Sequence, residues 1–286
     1  MQDIIILALN GLAWGLIIAL IALGLSVIFG LLDVINVAHG DFFMVGTVLA
    51  WVAVDATGSF TVALILVPIF GLLLGAVTER VAIRPVLSTI VLTVVSTHGL
   101  GIMLQEGVRA TFGATPRRLL APVSGTVTLP GGVLYDTYRL VAAAAAALAL
   151  LAFFAFQQRT RFGTWMRAVR HDRETAMTLG IPVARVQLLT FSIGAGLALL
   201  GGVIAAPITT VDFRAGIEIL PTCFMAVIIG GLGNLPGTAA AAVLLAVTEG
   251  VISAFLDPSA ARIVSLCLMC AVLFLRPHGL FAGARA

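Results

Sequence analysis

Side chains able to do chemistry are sparse in this sequence, and they cluster beside glycine. Asn36, His39, Gly40 and Asp41 stand in NVAHGD between two apolar runs, and Gly230, Gly231, Gly233, Asn234 and Gly237 stand in GGLGNLPG inside another. Amides, imidazoles or carboxylates facing lipid would be left unsatisfied, so both clusters belong in a protein interior, along a water-filled pathway or at the membrane surface. From the residues alone, two readings of NVAHGD stand: Asn36 and His39 satisfy backbone freed by a helix break, or they line the route of a polar solute. Metal binding lacks support, because His39 has no ligand residues at metal-site spacing. In GGLGNLPG the glycines permit a tight turn and Asn234 can bond freed amides. One break falls in each half of the chain, and transporters place substrate at such paired breaks. Asn36, His39, Gly40, Gly230, Gly231, Gly233 and Asn234 are therefore the candidates for a translocation path.

Several chemistries are excluded. All 16 basic residues are arginine and lysine is absent, which removes the Walker A phosphate loop and Schiff-base catalysis. Neither HExxH nor GxSxG occurs, so an intramembrane hydrolase is not expected. Cys223, Cys267 and Cys270 lie in or beside apolar segments without zinc spacing and read as small buried hydrophobes. His98 and Glu249 are single ionisable groups in apolar sequence, compatible with helix ends or with a proton relay. The net charge of +3 is dispersed between apolar runs, which argues against nucleic acid.

The elements that must position these residues are membrane helices. The 286 residues are 60% hydrophobic and 10% charged, where soluble domains average about 25% charged. Uncharged stretches cover 4–32, 42–54, 56–78, 85–105, 140–158, 186–211, 219–248 and 263–275, and GGLGNLPG divides the seventh, whose second part continues to 255. This predicts an all-α polytopic protein with eight or nine transmembrane helices, built as one domain from two inverted repeats with broken helices. The N-terminal MQD has no positive region, so a cleaved signal peptide is not expected. Ten arginines against six favour the side holding residues 157–185 as cytoplasmic, with the N-terminus outside. The outer loop 109–139 holds a Pro-Gly-Gly turn between β-prone runs and predicts a short hairpin. The inner loop 157–185 predicts a helix over 164–179, capped by Thr164 and stopped by Gly180 and Pro182. Its apolar stripe is Trp165, Val169, Ala176 and Leu179, suited to a partner or to lipid headgroups.

Within that loop, MRAVRHDRETAMTLGIPVARV resembles the cytoplasmic segment of the permease subunits of branched-chain amino acid ABC importers. Glu174, Ala176 and Gly180 resemble the E-A-A-x-x-x-G pattern of bacterial ABC permeases, with Thr175 at the middle alanine. Gly11 to Thr47, ending in N-x-A-H-G and an acidic residue, resembles the family's N-terminal signature. Glu79-Arg80 with Arg84-Pro85, IIGGLGNLPGT and the closing LRPHGLFAG resemble further motifs in the same order. The resemblance implies a permease with no catalytic residue and no cofactor of its own, in a bacterial inner membrane. ATP and Mg would be bound by a partner ATPase. The implied partners are cytoplasmic ATP-binding subunits, a second permease subunit and an extracytoplasmic substrate-binding protein. Coupling to the ATPase would run through Gly163, Arg167, Ala168, Asp172, Glu174, Ala176 and Gly180. The alternative is an ion-coupled secondary transporter of amino acids, amides or urea.

Overall fold

The computed structural model describes residues 2–87, 89–129, 132–276 and 279–281. Its centre is α1 (Gln2–Leu32), apolar on every side and therefore able to bury every side. The window of α1 richest in apolar residues is 83% buried, and the corresponding window of α8 (Val183–Ala205) is 72% buried. These two helices cross where Gly24 meets Gly194. Small residues let the backbones approach there, which is how helices associate when lipid offers no hydrophobic drive.

Two helices lie along this central pair. α10 (Leu235–Ile252) runs antiparallel to α1, with Gly15 against Val243 and the buried hydroxyls of Thr238 and Ser26 3.0 Å apart. α3 (Phe60–Thr78) runs along α8, with Gly71 against Gly196 and Gly75 against Ser192. Shorter contacts add α2 (His39–Thr57) to α8 and α9 (Ala215–Gly230) to α1. α4 (Ile90–Phe112) packs on α2, and α11 (Pro258–Leu275) packs on α9 and α10. α5 (Thr137–Arg159) is capped by Asp136 and tied to α8 by the Tyr138 hydroxyl, which donates to the Ile204 carbonyl at 2.9 Å.

Six of the described helices are long and apolar enough to cross a membrane, and α9 and α11 are shorter apolar helices. α4 is as long but carries Ser96, His98, Gln105 and Glu106. It starts later than expected, because Glu79–Ile83 forms a π-helical turn and Arg84–Val86, with Pro85 at its start, a 3₁₀ turn. Glu79, fully buried, holds Arg84 by two hydrogen bonds of 3.1 and 3.0 Å there. The hairpin is present as β1 (Thr126–Leu129) paired antiparallel with β2 (Val133–Asp136). Pro130 and Gly131 of its expected turn lie outside the described residues, as do Pro277, His278, Ala282 and Gly283 of the closing motif. Cys223 is buried as expected, whereas Cys267 and Cys270 are exposed on α11.

The inner loop corrects one expectation. Thr160, not Thr164, caps the first helix by accepting from the Gly163 amide, and α6 (Arg161–His171) stops at Asp172. Asp172 then caps a separate α7 (Arg173–Thr178). An aspartate free to bond two amides ahead competes with helix continuation, which divides the expected single helix.

Candidate functional site

The NVAHGD break is built by the reversal from α1 into α2. Asp33 ends α1 in the left-handed region at φ 53°, a conformation that aspartate tolerates better than most side chains. Residues 34–36 belong to no helix or strand, and the Val37 amide donates to the Thr97 hydroxyl of α4 at 3.1 Å. α2 begins at His39, so His39 and Gly40 belong to its first turn rather than to the loop. The His39 Nε2–H donates to the Ile21 carbonyl at 2.9 Å. Since a carbonyl only accepts, this bond assigns the proton to Nε2 and leaves Nδ1 as an acceptor, for which no described group is a partner. Ile21 lies 11 residues before the end of α1, about 16 Å along its axis at 1.5 Å per residue. The first turn of α2 therefore sits well inside the bundle.

Gly40 meets the backbone of Gly216 in the first turn of α9, so two helix N-termini converge at one point. Side chains at these positions would occupy each other's backbone, which is the physical need for glycine at both. Asp41, 5% exposed, takes the Gln105 amide at 2.8 Å beside this junction. A carboxylate there complements the positive ends of both helix dipoles. Asn36 is fully buried, and neither its Oδ1 nor its Nδ2 has a partner among the described residues.

The second break lies elsewhere. Gly231 and Gly233 take positive φ values of 94° and 76°, and Asn234 caps α10 by accepting from the Gly237 amide at 3.1 Å. The Asn234 amide donates to the Phe281 carbonyl, which closes the break from the C-terminal side. Gly230 packs on the Thr238 backbone, and Gly233 packs on Gly30. Gly30 is nine residues beyond Ile21, about 14 Å further along α1. Asn36, His39 and Gly40 therefore form one group, while Gly230, Gly231, Gly233 and Asn234 form another near the end of α1. The level of His39 is shared instead by Gly216.

The inner loop reaches the second group through Arg170, which was not among the candidates. Arg170 lies against Gly233 and Gly30, and Gly163 packs on the Gln157 backbone. The Arg167 guanidinium donates to the Gln157 carbonyl and to the Thr164 hydroxyl. The side chain of Asp172 accepts from the amides of Glu174 and Thr175 at 2.9 and 3.1 Å, and from the Thr175 hydroxyl. The hydroxyl bond, then the amide bonds, hold its carboxyl below the usual carboxylate range. Gly180 has φ 79°, and the Ile181 amide returns to the Ala176 carbonyl at 3.0 Å, a C-terminal stop of the glycine type. Of the stripe, Val169 and Ala176 are buried, with Ala168 half-buried beside them, whereas Trp165 and Leu179 are exposed. Met177 joins the exposed pair, so three large apolar side chains of this segment are left uncovered by the described residues.

Sequence reasoning missed Gly216, Thr97 and Gln105 as neighbours of the first break. Gln105 was detectable as a lone amide at the end of an apolar run, but nothing in one chain assigned it to Asp41.

The family model described as branched-chain amino acid transport system / permease component matches residues 7–273. The high-affinity branched-chain amino acid transport system permease protein LivH of Escherichia coli strain K12 is 31% identical over 294 residues, covering 95% of this chain and 93% of the relative. BraD of Pseudomonas aeruginosa, with the same description, is 29% identical over 290 residues at the same coverage. A probable LivH of Methanocaldococcus jannaschii is 22% identical over 283 residues. No solved structure matches the chain.

Proposed function

This chain belongs to the branched-chain amino acid transport permease family, and from that membership we propose that it carries branched-chain or related amino acids inward as one subunit of an ATP-driven importer. It is a multi-pass membrane permease and not an enzyme. A bacterial inner membrane is the proposed location. ATP and its Mg ion would belong to partner ATPases on the cytoplasmic side. A second permease subunit and an extracytoplasmic binding protein would complete the assembly.

The observation that carries this reading is the exposure of Trp165, Met177 and Leu179 on a segment that also grips the bundle through Arg170. A rigid segment held by the bundle and exposed outside it acts as a lever. When the ATPases close, α6 and α7 would be pushed together, and Arg170 would pass that motion to the ends of α1 and α10. Gly230, Gly231, Gly233 and Asn234 form the joint on which α9 and α10 meet the lever. Asn36, His39 and Gly40 sit where the path would switch between outward and inward access. Unpaired polar atoms on Asn36 and His39 suit a site that exchanges partners between two states.

Two inverted repeats are part of the proposal. α1, α2, α3 and α4 would correspond to α8, α9, α10 and α11. The reading is supported by reciprocal packing: α1 with α10 and α8 with α3, α2 with α8 and α9 with α1. Under it, the counterpart of NVAHGD is the turn 206–214 that precedes Gly216, rather than GGLGNLPG.

Cross-linking tests the lever. Leu179→Cys, paired with a cysteine scan of the ATPase surface, should give disulfides whose yield changes with ATP. No cross-link at any ATPase position would remove the lever. An ion-coupled transporter would need no such contact.

A further inference from the structure

A cavity of about 470 Å³ lies at the end of the bundle opposite α6 and α7, a size within the usual range for small-molecule sites. Its walls come from α1, α2, α11 and the start of α9, from the connection after α4, and from the turn between α8 and α9. Trp14, Phe43, Ile208 and Ile219 give it an apolar wall, and Arg118 and Glu218 give it one charge of each sign. Neither Arg118 nor Glu218 has a side-chain hydrogen bond or ion pair among the described residues, so both retain their full bonding capacity. A third charge, Arg262, stands 3.8 Å from Glu249 and is already engaged.

The depth of the cavity connects it to the first break. Phe43 is three residues after Gly40 on α2, and Ile219 is three residues after Gly216 on α9. The point where the two N-termini meet therefore stands within one helical turn of both wall residues, with Asp41 beside it. The cavity lies beside the junction, and its other lining residues stand at the end of the bundle away from the lever.

We propose that this cavity is the receiving site for a zwitterionic, aliphatic amino acid on its way into the bundle. The inference rests on the permease reading above and adds where, and by which groups, the solute is held. Arg118 offers a planar fork to the α-carboxylate, Glu218 accepts from the α-ammonium, and Trp14, Phe43, Ile208 and Ile219 cover the branched side chain. A solute with only one of the two charges leaves Arg118 or Glu218 unpaired, and one without an aliphatic chain leaves the apolar wall wet. Opposite charges on one apolar pocket thus select the amino-acid class, whereas a single sign would select an anion or a cation.

The test uses the assembled importer in lipid nanodiscs, with ATPase subunits but without binding protein or nucleotide, and radiolabelled L-leucine as probe. Wild-type complexes should bind L-leucine saturably. 4-Methylpentanoate, which lacks the ammonium, and 3-methylbutylamine, which lacks the carboxylate, should compete at least tenfold more weakly than L-leucine. Glu218→Gln and Arg118→Gln should each weaken binding at least tenfold, with Glu218→Asp and Arg118→Lys in between. No saturable binding by wild-type complexes, equal competition by the two half-charged analogues, or unchanged binding in both glutamine variants would each overturn the site. So would variants that lose association with the binding protein yet bind L-leucine normally, since the cavity would then be a protein docking surface. ATP-driven leucine uptake by the same wild-type complex, reconstituted into proteoliposomes with the binding protein, decides the permease reading separately. Uptake with unaltered variants would remove the site and leave the permease.

Discussion

Gly216→Ala probes the convergence of α2 and α9 directly. A methyl group at 216 would stand 2.6 Å from Asp41 Oδ1 and 2.8 Å from the Asp41 amide nitrogen, against ordinary contacts of about 3.4 Å or more. Because the amide nitrogen is backbone and a shift of the Asp41 side chain cannot move it away, relief requires the first turn of α9 to retreat by about 0.6–0.8 Å. Overpacking of a tight interior costs about 1–3 kcal/mol. At 1.4 kcal/mol per factor of ten, that is roughly 5-fold to 150-fold on any equilibrium requiring the closed junction. ATP-driven leucine uptake in proteoliposomes should fall by that order while the ATPase still co-purifies. Gly99→Ala and Gly107→Ala, where an added methyl meets nothing within 4 Å, are the controls and should keep uptake. Wild-type uptake by Gly216→Ala would refute the claim that the two N-termini must touch for transport.

Further perturbations address the other groups. His39→Ala removes a hydrogen bond that the Ile21 carbonyl accepts in addition to its helical one, a loss of about 0.5–1.5 kcal/mol, and together with Asn36→Ala should reduce uptake without dissociating the complex; normal uptake in both would dismiss them from the path. Gly180→Pro and Arg167→Glu should cut ATPase co-purification in a pull-down at least tenfold, through the left-handed stop and the Gln157 tether respectively, and retained association would show that docking does not need either. Because the carboxyl of Asp172 is held below its ordinary value, its cap on α7 is fully present above the ordinary carboxylate range and is lost as pH falls through the lowered value. ATPase association should therefore weaken toward acid pH in the native protein and stay flatter in Asp172→Asn; identical pH profiles would remove the cap from the coupling.

Much of the architecture was legible because bilayer physics makes it so. Long uncharged runs had to be helices, Gly180 followed by Pro182 had to end one, and β-prone runs around a proline and glycines had to turn back. The inner loop was legible as a charged segment but not as two helices. Asp172 reads equally well as a solvated helical residue or as a cap, and only the path of the chain toward α8 decides. The two glycine breaks looked like counterparts because both interrupt apolar sequence. Their depths depend on where α1 meets each, and one-dimensional spacing carries no depth. Gly216 was hidden for the same reason: a lone glycine before an apolar run gives no sign that another glycine faces it. The cavity draws Trp14, Phe43, Arg118, Ile208, Glu218 and Ile219 from four separate stretches, and no spacing within one stretch reveals that they meet.

The division of labour between this chain and an ATPase is most directly tested by reconstitution. Proteoliposomes are made with the permease subunits and binding protein, with or without the ATPase subunits, and L-leucine uptake is followed under ATP and under an imposed proton or sodium gradient. Uptake that requires both ATPase and ATP, and that ignores the gradients, is the predicted result. Uptake that persists without the ATPase and follows a gradient would contradict the account and identify an ion-coupled carrier.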